Sequence, residues 1–147
     1  MPDVVTRIGV LRGTRLMNRS LWGLQIVLGV YFILVGVVHF VVPNGLPGLL
    51  SWMYELPDAV HVISGTADIL GGLGLILPGL SRIQPGLTVW AAGGLLIVMI
   101  PAAFWHLGRG EPVNVLINLA LVGLLGLLAY GRARRSPLPG SFGAPAA

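Results

Sequence analysis

The residues able to do chemistry in this chain are few, and they sit inside or beside long apolar runs: His39, His61, His106, Asp68, Asn114 and Asn118. Imidazole and carboxyl groups can hydrogen-bond the oxygens of a small carbonyl compound such as a quinone and exchange protons with it. The same groups can ligate a divalent metal. No histidine pair has the H-x-x-x-H spacing of a local metal site, so metal or haem is the weaker expectation and no metal ligand is assigned. The chain has no cysteine, which removes disulfides, thiolate nucleophiles, dithiol relays and cysteine-ligated iron-sulfur clusters. Any redox step therefore needs a bound cofactor or substrate.

His61, Ser64, Gly65 and Asp68 recur at i, i+3, i+4 and i+7, which places them on one face of a helix. Asp68 then lies about 10 Å from His61 along the helix axis. A carboxyl group that deep in a membrane segment costs roughly 2.5 to 3.5 kcal/mol on insertion scales, so it is expected to face the bundle interior and a partner. Asn114 and Asn118 share a face of their own helix. Gln25, fourteen residues before His39, lies on nearly the same stripe at the opposite membrane surface. Each polar group also has a plainer reading, as an interfacial histidine, as interhelical hydrogen-bonding asparagines, or as a structural tie from Asp68 to the last helix.

These side chains can converge only if long helices carry them to one level. Of 147 residues, 55% are hydrophobic and 10% charged, and the mean hydropathy is +0.88. An ordinary soluble domain carries roughly 25% charged residues, so the solvent must be lipid. Four apolar runs stand out, Leu21 to Val42, His61 to Leu80, Leu87 to Leu107 and Val113 to Tyr130. Each is close to the ~20 residues a helix needs to cross the hydrocarbon core. They lack the alternation of barrel strands. The expected fold is all-α, an integral membrane four-helix bundle.

All nine basic residues are arginine, and their distribution orients the bundle. Arg7, Arg12, Arg15 and Arg19 precede the first run, Arg82 joins the second to the third, and Arg132, Arg134 and Arg135 follow the fourth; Arg109 stands alone on the other side. That asymmetry puts both termini in the cytoplasm and makes this a multi-pass protein of the inner (plasma) membrane. All three histidines then reach the outer leaflet. The first run is too long for a signal peptide and no A-x-A site follows it. Because the arginines flank apolar segments and build no basic face between aromatic readers, a nucleic-acid partner is excluded.

The longest connection, Pro43 to Val60, contains Leu49, Leu50, Trp52, Met53 and Tyr54 and is expected to fold as a short helix or re-entrant lid over the outer end. Under it, Trp52, Trp105, Phe104 and Phe40 are candidate walls of a ligand pocket, with Asn114 and Asn118 as further binding residues and His39, His61, His106 and Asp68 as the proton-handling groups. Ala67 and Gly71 form a small-xxx-small pair suited to close helix packing. Pro101 is expected to kink the third span, and Pro78 to end the second. Residues 1–20 read as a basic cytoplasmic segment, 21–132 as the membrane domain and 133–147 as a flexible cytoplasmic tail.

The run Gly36-Val37-Val38-His39-Phe40, then Ser64 through Leu75 (Ser-Gly-Thr-Ala-Asp-Ile-Leu-Gly-Gly-Leu-Gly-Leu) ending in Leu77-Pro78, resembles the DoxX-like family of small four-helix membrane proteins. So do Ala103 through Glu111 (Ala-Phe-Trp-His-Leu-Gly-Arg-Gly-Glu) and the closing Tyr130-Gly131-Arg132. The resemblance covers about Leu21 to Arg132. It implies kinship with the small subunit of thiosulfate:quinone oxidoreductase and with membrane components of oxidative-stress and sulfur-redox assemblies. The family usually has glutamate where this chain has Asp68, one methylene shorter.

Two functional readings stay open. In one, the chain is a redox-associated membrane subunit with an outer-leaflet polar pocket for a quinone or similar small molecule. In the other it is a non-catalytic scaffold or anchor whose arginine-rich ends recruit a soluble or membrane oxidoreductase partner. Fold likeness does not choose between them, and the sequence leaves the oligomeric state open.

Overall fold

The computed structural model describes residues 4–139, with side chains from residue 13 onward. Four long helices form the fold: α1 (Val4–Val41), α2 (Asp58–Ser81), α3 (Leu87–Gly108) and α4 (Pro112–Tyr130). An eight-residue 3-10 helix, Gly48–Glu55, lies between α1 and α2, and a turn of π-helix, Gly131–Arg135, extends α4. No strand occurs among the described residues. The stretches Gly13–Val41, Asp58–Ser81, Leu87–Gly108 and Pro112–Arg135 are each long and apolar enough to cross a membrane. The outward side chains, among them Ile63, Trp90, Ile97 and Leu116, are apolar and exposed, as contact with lipid tails requires.

Antiparallel packing of α1 on α2 is set by two glycine pairs. A Cβ on Gly72 would stand 2.6 Å from the Gly29 carbonyl oxygen, and one on Gly36 would stand 2.8 Å from that of Gly65. The helices touch backbone to backbone at both points, which lipid-solvated helices need because no hydrophobic drive brings them together. The Ala67–Gly71 pair therefore does not make this contact. Gly71 instead accommodates Leu95 of α3. Leu28, Phe32, Leu75, Leu95, Leu125 and Leu128 fill the shared core. Gly131 lets α4 meet α1 at Leu21.

One helix boundary departs from expectation. Pro78 does not end α2, which runs on to Ser81 and stops at Arg82 in the left-handed region (φ 59°). Proline removes a backbone donor and disturbs the turn before it. Donors from neighbours restore the balance there, with Gln25 Nε2 donating to the Leu75 carbonyl at 2.5 Å and Thr88 Oγ1 approaching it at 3.5 Å. Pro101 lies within α3, as its place inside the third apolar run leads one to expect, and the helix continues to Gly108. The basic N-terminal residues lie on the same helix as the first span, since α1 is helical from Val4.

The first residues of the C-terminal stretch are held against the bundle. Ser136 N–H donates to the Gly131 carbonyl at 2.8 Å and Leu138 is buried. The rest of that stretch, 140–147, lies outside the described residues. The bundle thus has a lid end, where the 3-10 helix sits, and a terminal end, where the start of α1 meets the π-turn.

Candidate functional site at the lid end

The chain leaves α1 through Val42, whose positive φ of 36° is strained for a β-branched residue, and turns at Gly45 (φ 79°). It then winds into the 3-10 helix. A 3-10 run of this length is uncommon in isolation, and side chains hold it down. Met53 is buried at 1% exposure. Tyr54 Oη donates to the Pro43 carbonyl and accepts from Leu46 N–H, both at 2.9 Å. At its far end Glu55 pairs with Arg109 at 2.7 Å.

His61, one turn into α2, ties this lid to α1. Its Nε2 lies 2.9 Å from the Met53 carbonyl, which can only accept, so Nε2 carries a proton. In the neutral ring Nδ1 is then the acceptor, and the hydrogen bond of 3.1 Å to His39 Nδ1 is donated by His39. By the same logic His39 keeps Nε2 as its basic nitrogen.

A second network forms where α3 ends and α4 begins. His106 Nδ1 donates to Glu111 Oε2 at 2.6 Å, Arg109 Nε donates to Glu111 Oε1 at 2.7 Å, and Asn114 Nδ2 donates to Oε2 at 3.2 Å. Partial burial opposes the Glu111 charge, yet the donors on His106, Arg109 and Asn114 outweigh it and hold the carboxyl down at about 2. Glu55 is also held below the usual carboxylate range, chiefly by its hydrogen bond from Arg109, and Arg109 is raised in turn by its bonds to Glu55 and Glu111. Arg109, Glu55 and Glu111 sum to one negative charge.

Trp52 joins the two networks. Its ring centroid lies 5.8 Å from that of His39, 5.1 Å from His106 and 6.1 Å from Trp105, and the Arg109 guanidinium sits 4.5 Å over the Trp105 ring. The indole thus occupies the centre of the polar cluster. Beside it, an open groove of about 240 Å³ runs between the first lid turn (Gly48, Leu49, Ser51) and the start of α4 (Glu111, Pro112, Asn114). Pockets for drug-sized ligands usually hold at least about 300 Å³, so this groove is smaller than those, and of the polar network only Glu111 and Asn114 line it.

The structure brings His39, His61, His106, Trp52 and Trp105 together, with Asn114 joined through Glu111. Other candidates fall elsewhere. Phe40 and Phe104 are 52% and 69% exposed, and neither borders the groove beside the lid. Asn118 is buried, but its Nδ2 donates to the Asn114 carbonyl within α4 at 2.9 Å, so it does not bond between helices. Asp68 lies two turns below His61 at 2% exposure, and its Oδ1 has no hydrogen-bond partner among the described residues, neither the histidines nor α4.

Sequence reasoning missed Glu55, Arg109 and Glu111 as members of the site. The available signal was Glu111 two residues after the lone Arg109 and five after His106. Among the described residues no three histidine, aspartate or glutamate side chains converge as a metal-ligand set.

No curated protein and no solved structure matches this chain. Residues 23–128 match the family model described as the DoxX-like family, and with most of its length covered the chain, a membrane protein of four apolar helices, belongs to the DoxX-like family.

Proposed function

We propose that this DoxX-like protein is a redox-associated subunit of the inner (plasma) membrane, with both termini cytoplasmic and a lid-end site in the outer leaflet that receives a quinone or similar small carbonyl compound. The observation that carries this reading is Trp52, wedged between His39, His106 and Trp105 beneath a lid hung on His61 and Arg109. A planar ring that displaces the indole would meet aromatic faces from Trp105 and two imidazoles. Each imidazole already commits its Nδ1–H, His39 to His61 and His106 to Glu111. An imidazole that carries a second proton on Nε2 would therefore hydrogen-bond a carbonyl oxygen and then pass that proton to it. Reduction to the quinol also needs two electrons, which a partner oxidoreductase would deliver, the chain having no cysteine to carry them. Asp68 would serve as the deeper proton-carrying group.

The test is thermal. A ligand that binds the folded state raises the melting temperature with concentration. A short-chain quinone is expected to stabilise the wild type, and His39→Ala or His106→Ala to lose that increment. No quinone-dependent shift in the wild type refutes the reading.

A second reading draws on the saturation of the polar groups. Glu111 already accepts three hydrogen bonds and Trp52 already fills the cluster, as in a lid built for rigidity. In that case the protein is a scaffold whose arginine-rich end recruits a soluble oxidoreductase. Mass spectrometry of the gently solubilised complex separates the two, through a co-purified quinone or a stoichiometric partner. The orientation is tested by impermeant thiol labelling in intact cells, where Asn44→Cys is expected to react and Ser81→Cys to be protected.

A further inference from the structure

The terminal end contains a buried guanidinium that the lid-end site does not use. Arg132, in the π-turn that closes α4, is 2% exposed. Its Nε donates to Gln25 Oε1 at 2.9 Å, and one terminal nitrogen, Nη1, donates to Asn18 Oδ1 at 2.7 Å and to the Ser136 carbonyl at 3.3 Å. The plane lies 5.3 Å from the Trp22 ring centroid. The other terminal nitrogen, Nη2, is buried with no hydrogen-bond partner among the described residues.

None of these partners is an anion. Of the acidic residues in the described range, Glu55, Asp58 and Glu111 lie at the lid end and Asp68 midway down α2. The terminal end instead adds Arg15, Arg19, Arg82, Arg134 and Arg135. A guanidinium stays charged in proteins, and a buried charge without a counter-ion is strongly unfavourable. The neutral acceptors Gln25 and Asn18 fix its plane and leave one edge unused. A guanidinium edge is a strong donor to phosphate oxygens, and basic pockets between membrane helices take anionic headgroups.

We propose that Arg132 is an anion-binding residue that takes a phosphate oxygen on Nη2, from the headgroup of an anionic phospholipid or from free phosphate. Leu138 is the cover of this site. It is buried over the same floor, where a Cβ on Gly79 would stand 2.9 Å from Trp22, 3.0 Å from Leu138 and 3.1 Å from Gln25 Nε2. Lifting the Ser136–Pro139 segment removes one acceptor from Nη1 and opens the guanidinium edge to the membrane surface. Phosphate binding and docking of that segment therefore compete.

The test is a melting titration of the detergent-solubilised full chain with phosphatidylglycerol, with phosphatidylcholine of the same acyl chains, and with inorganic phosphate. Phosphatidylglycerol is expected to raise the melting temperature saturably and phosphatidylcholine to leave it unchanged. Arg132→Gln should raise the half-saturating concentration about tenfold, the effect of losing one charge-assisted hydrogen bond. Leu138→Ala should lower it, because the cover is weakened, and Arg134→Gln with Arg135→Gln should change it less than Arg132→Gln does. An equal, Arg132-dependent response to inorganic phosphate supports the site and assigns it to the free ion. The proposal is overturned if neither anion stabilises the wild type beyond phosphatidylcholine, or if the Arg134/Arg135 double variant weakens binding as much as Arg132→Gln. Should Arg132→Gln fail to fold, Leu138→Ala decides, and an unchanged half-saturating concentration rejects the site.

Discussion

His39 and His61 share one proton across 3.1 Å, and its position is dictated by a third residue: because His61 Nε2 donates to the Met53 carbonyl, the neutral pair has the proton on His39 Nδ1. The relation couples α1, α2 and the lid through one chain of hydrogen bonds. His61→Ala leaves the Met53 carbonyl and the His39 donor without partners, at a cost of about 1–3 kcal/mol for each buried group left unpaired. The expected result is a lower melting temperature and faster amide exchange over Gly48–Glu55, with α3 and α4 little affected. Unchanged exchange in the lid would show that Met53 and Trp52 hold it without His61.

Glu111 makes the lid end acid-sensitive. Its carboxyl is held at about 2 against an ordinary value of 4.5, so the folded state binds its proton less readily than the unfolded chain does. The stabilisation from this group is complete above about pH 4.5 and is lost progressively as pH falls toward about 2. Glu111→Gln is expected to flatten the fall of melting temperature through that window and to lower stability near neutrality. A variant whose acid profile superimposes on the wild type would remove Glu111 from the network's energetics.

Much of this arrangement was legible in the sequence, for identifiable reasons. Apolar run lengths and arginine placement put His39, His61 and His106 at one membrane level, and the Trp52 connection read as a cover because its aromatic residues suit an interface. Helical phase shows why the other aromatic candidates lie apart from the histidine cluster. Phe40 follows His39 directly and Phe104 precedes His106 by two positions, and residues one or two apart on a helix do not share a face. In the sequence Arg132 reads only as one of the arginines that follow the fourth apolar run. Only pairing with Gln25, 107 positions earlier, reveals it as buried, and nothing local in the sequence encodes that contact. The glycine contacts were half legible, since glycine density announces close packing but not which pairs meet.

Those glycines separate packing from propensity. A Cβ at Gly72 meets the Gly29 carbonyl oxygen at 2.6 Å, and backbone cannot swing aside as a side chain can. Gly72→Ala is expected to destabilise the α1–α2 interface on the order of 1–3 kcal/mol. At Gly93 and Gly94 nothing lies within 4 Å of the added atom, so alanine there is expected to be neutral or to stabilise by about 0.5–1 kcal/mol. Melting temperatures of the three variants in one detergent check the order, and a Gly72→Ala protein as stable as Gly93→Ala contradicts the register of the two helices.

Asp68 is a buried group with one unpartnered carboxyl oxygen. Among the described residues its Oδ1 lacks a hydrogen-bond partner, and an unsatisfied buried polar atom costs about 1–3 kcal/mol. Asp68→Leu replaces the carboxyl with apolar atoms of similar size and is expected to melt at or above the wild type. Asp68→Asn keeps a polar group with the same unmet demand and should melt below the leucine variant. The opposite order, asparagine above leucine, would mean that the side chain ties helices together and that its retention needs no functional cause. With the expected order, a stabilised Asp68→Leu protein that still binds a short-chain quinone but no longer supports quinone-linked proton uptake would identify the carboxyl as a proton carrier. Normal proton uptake in that variant would remove Asp68 from the mechanism.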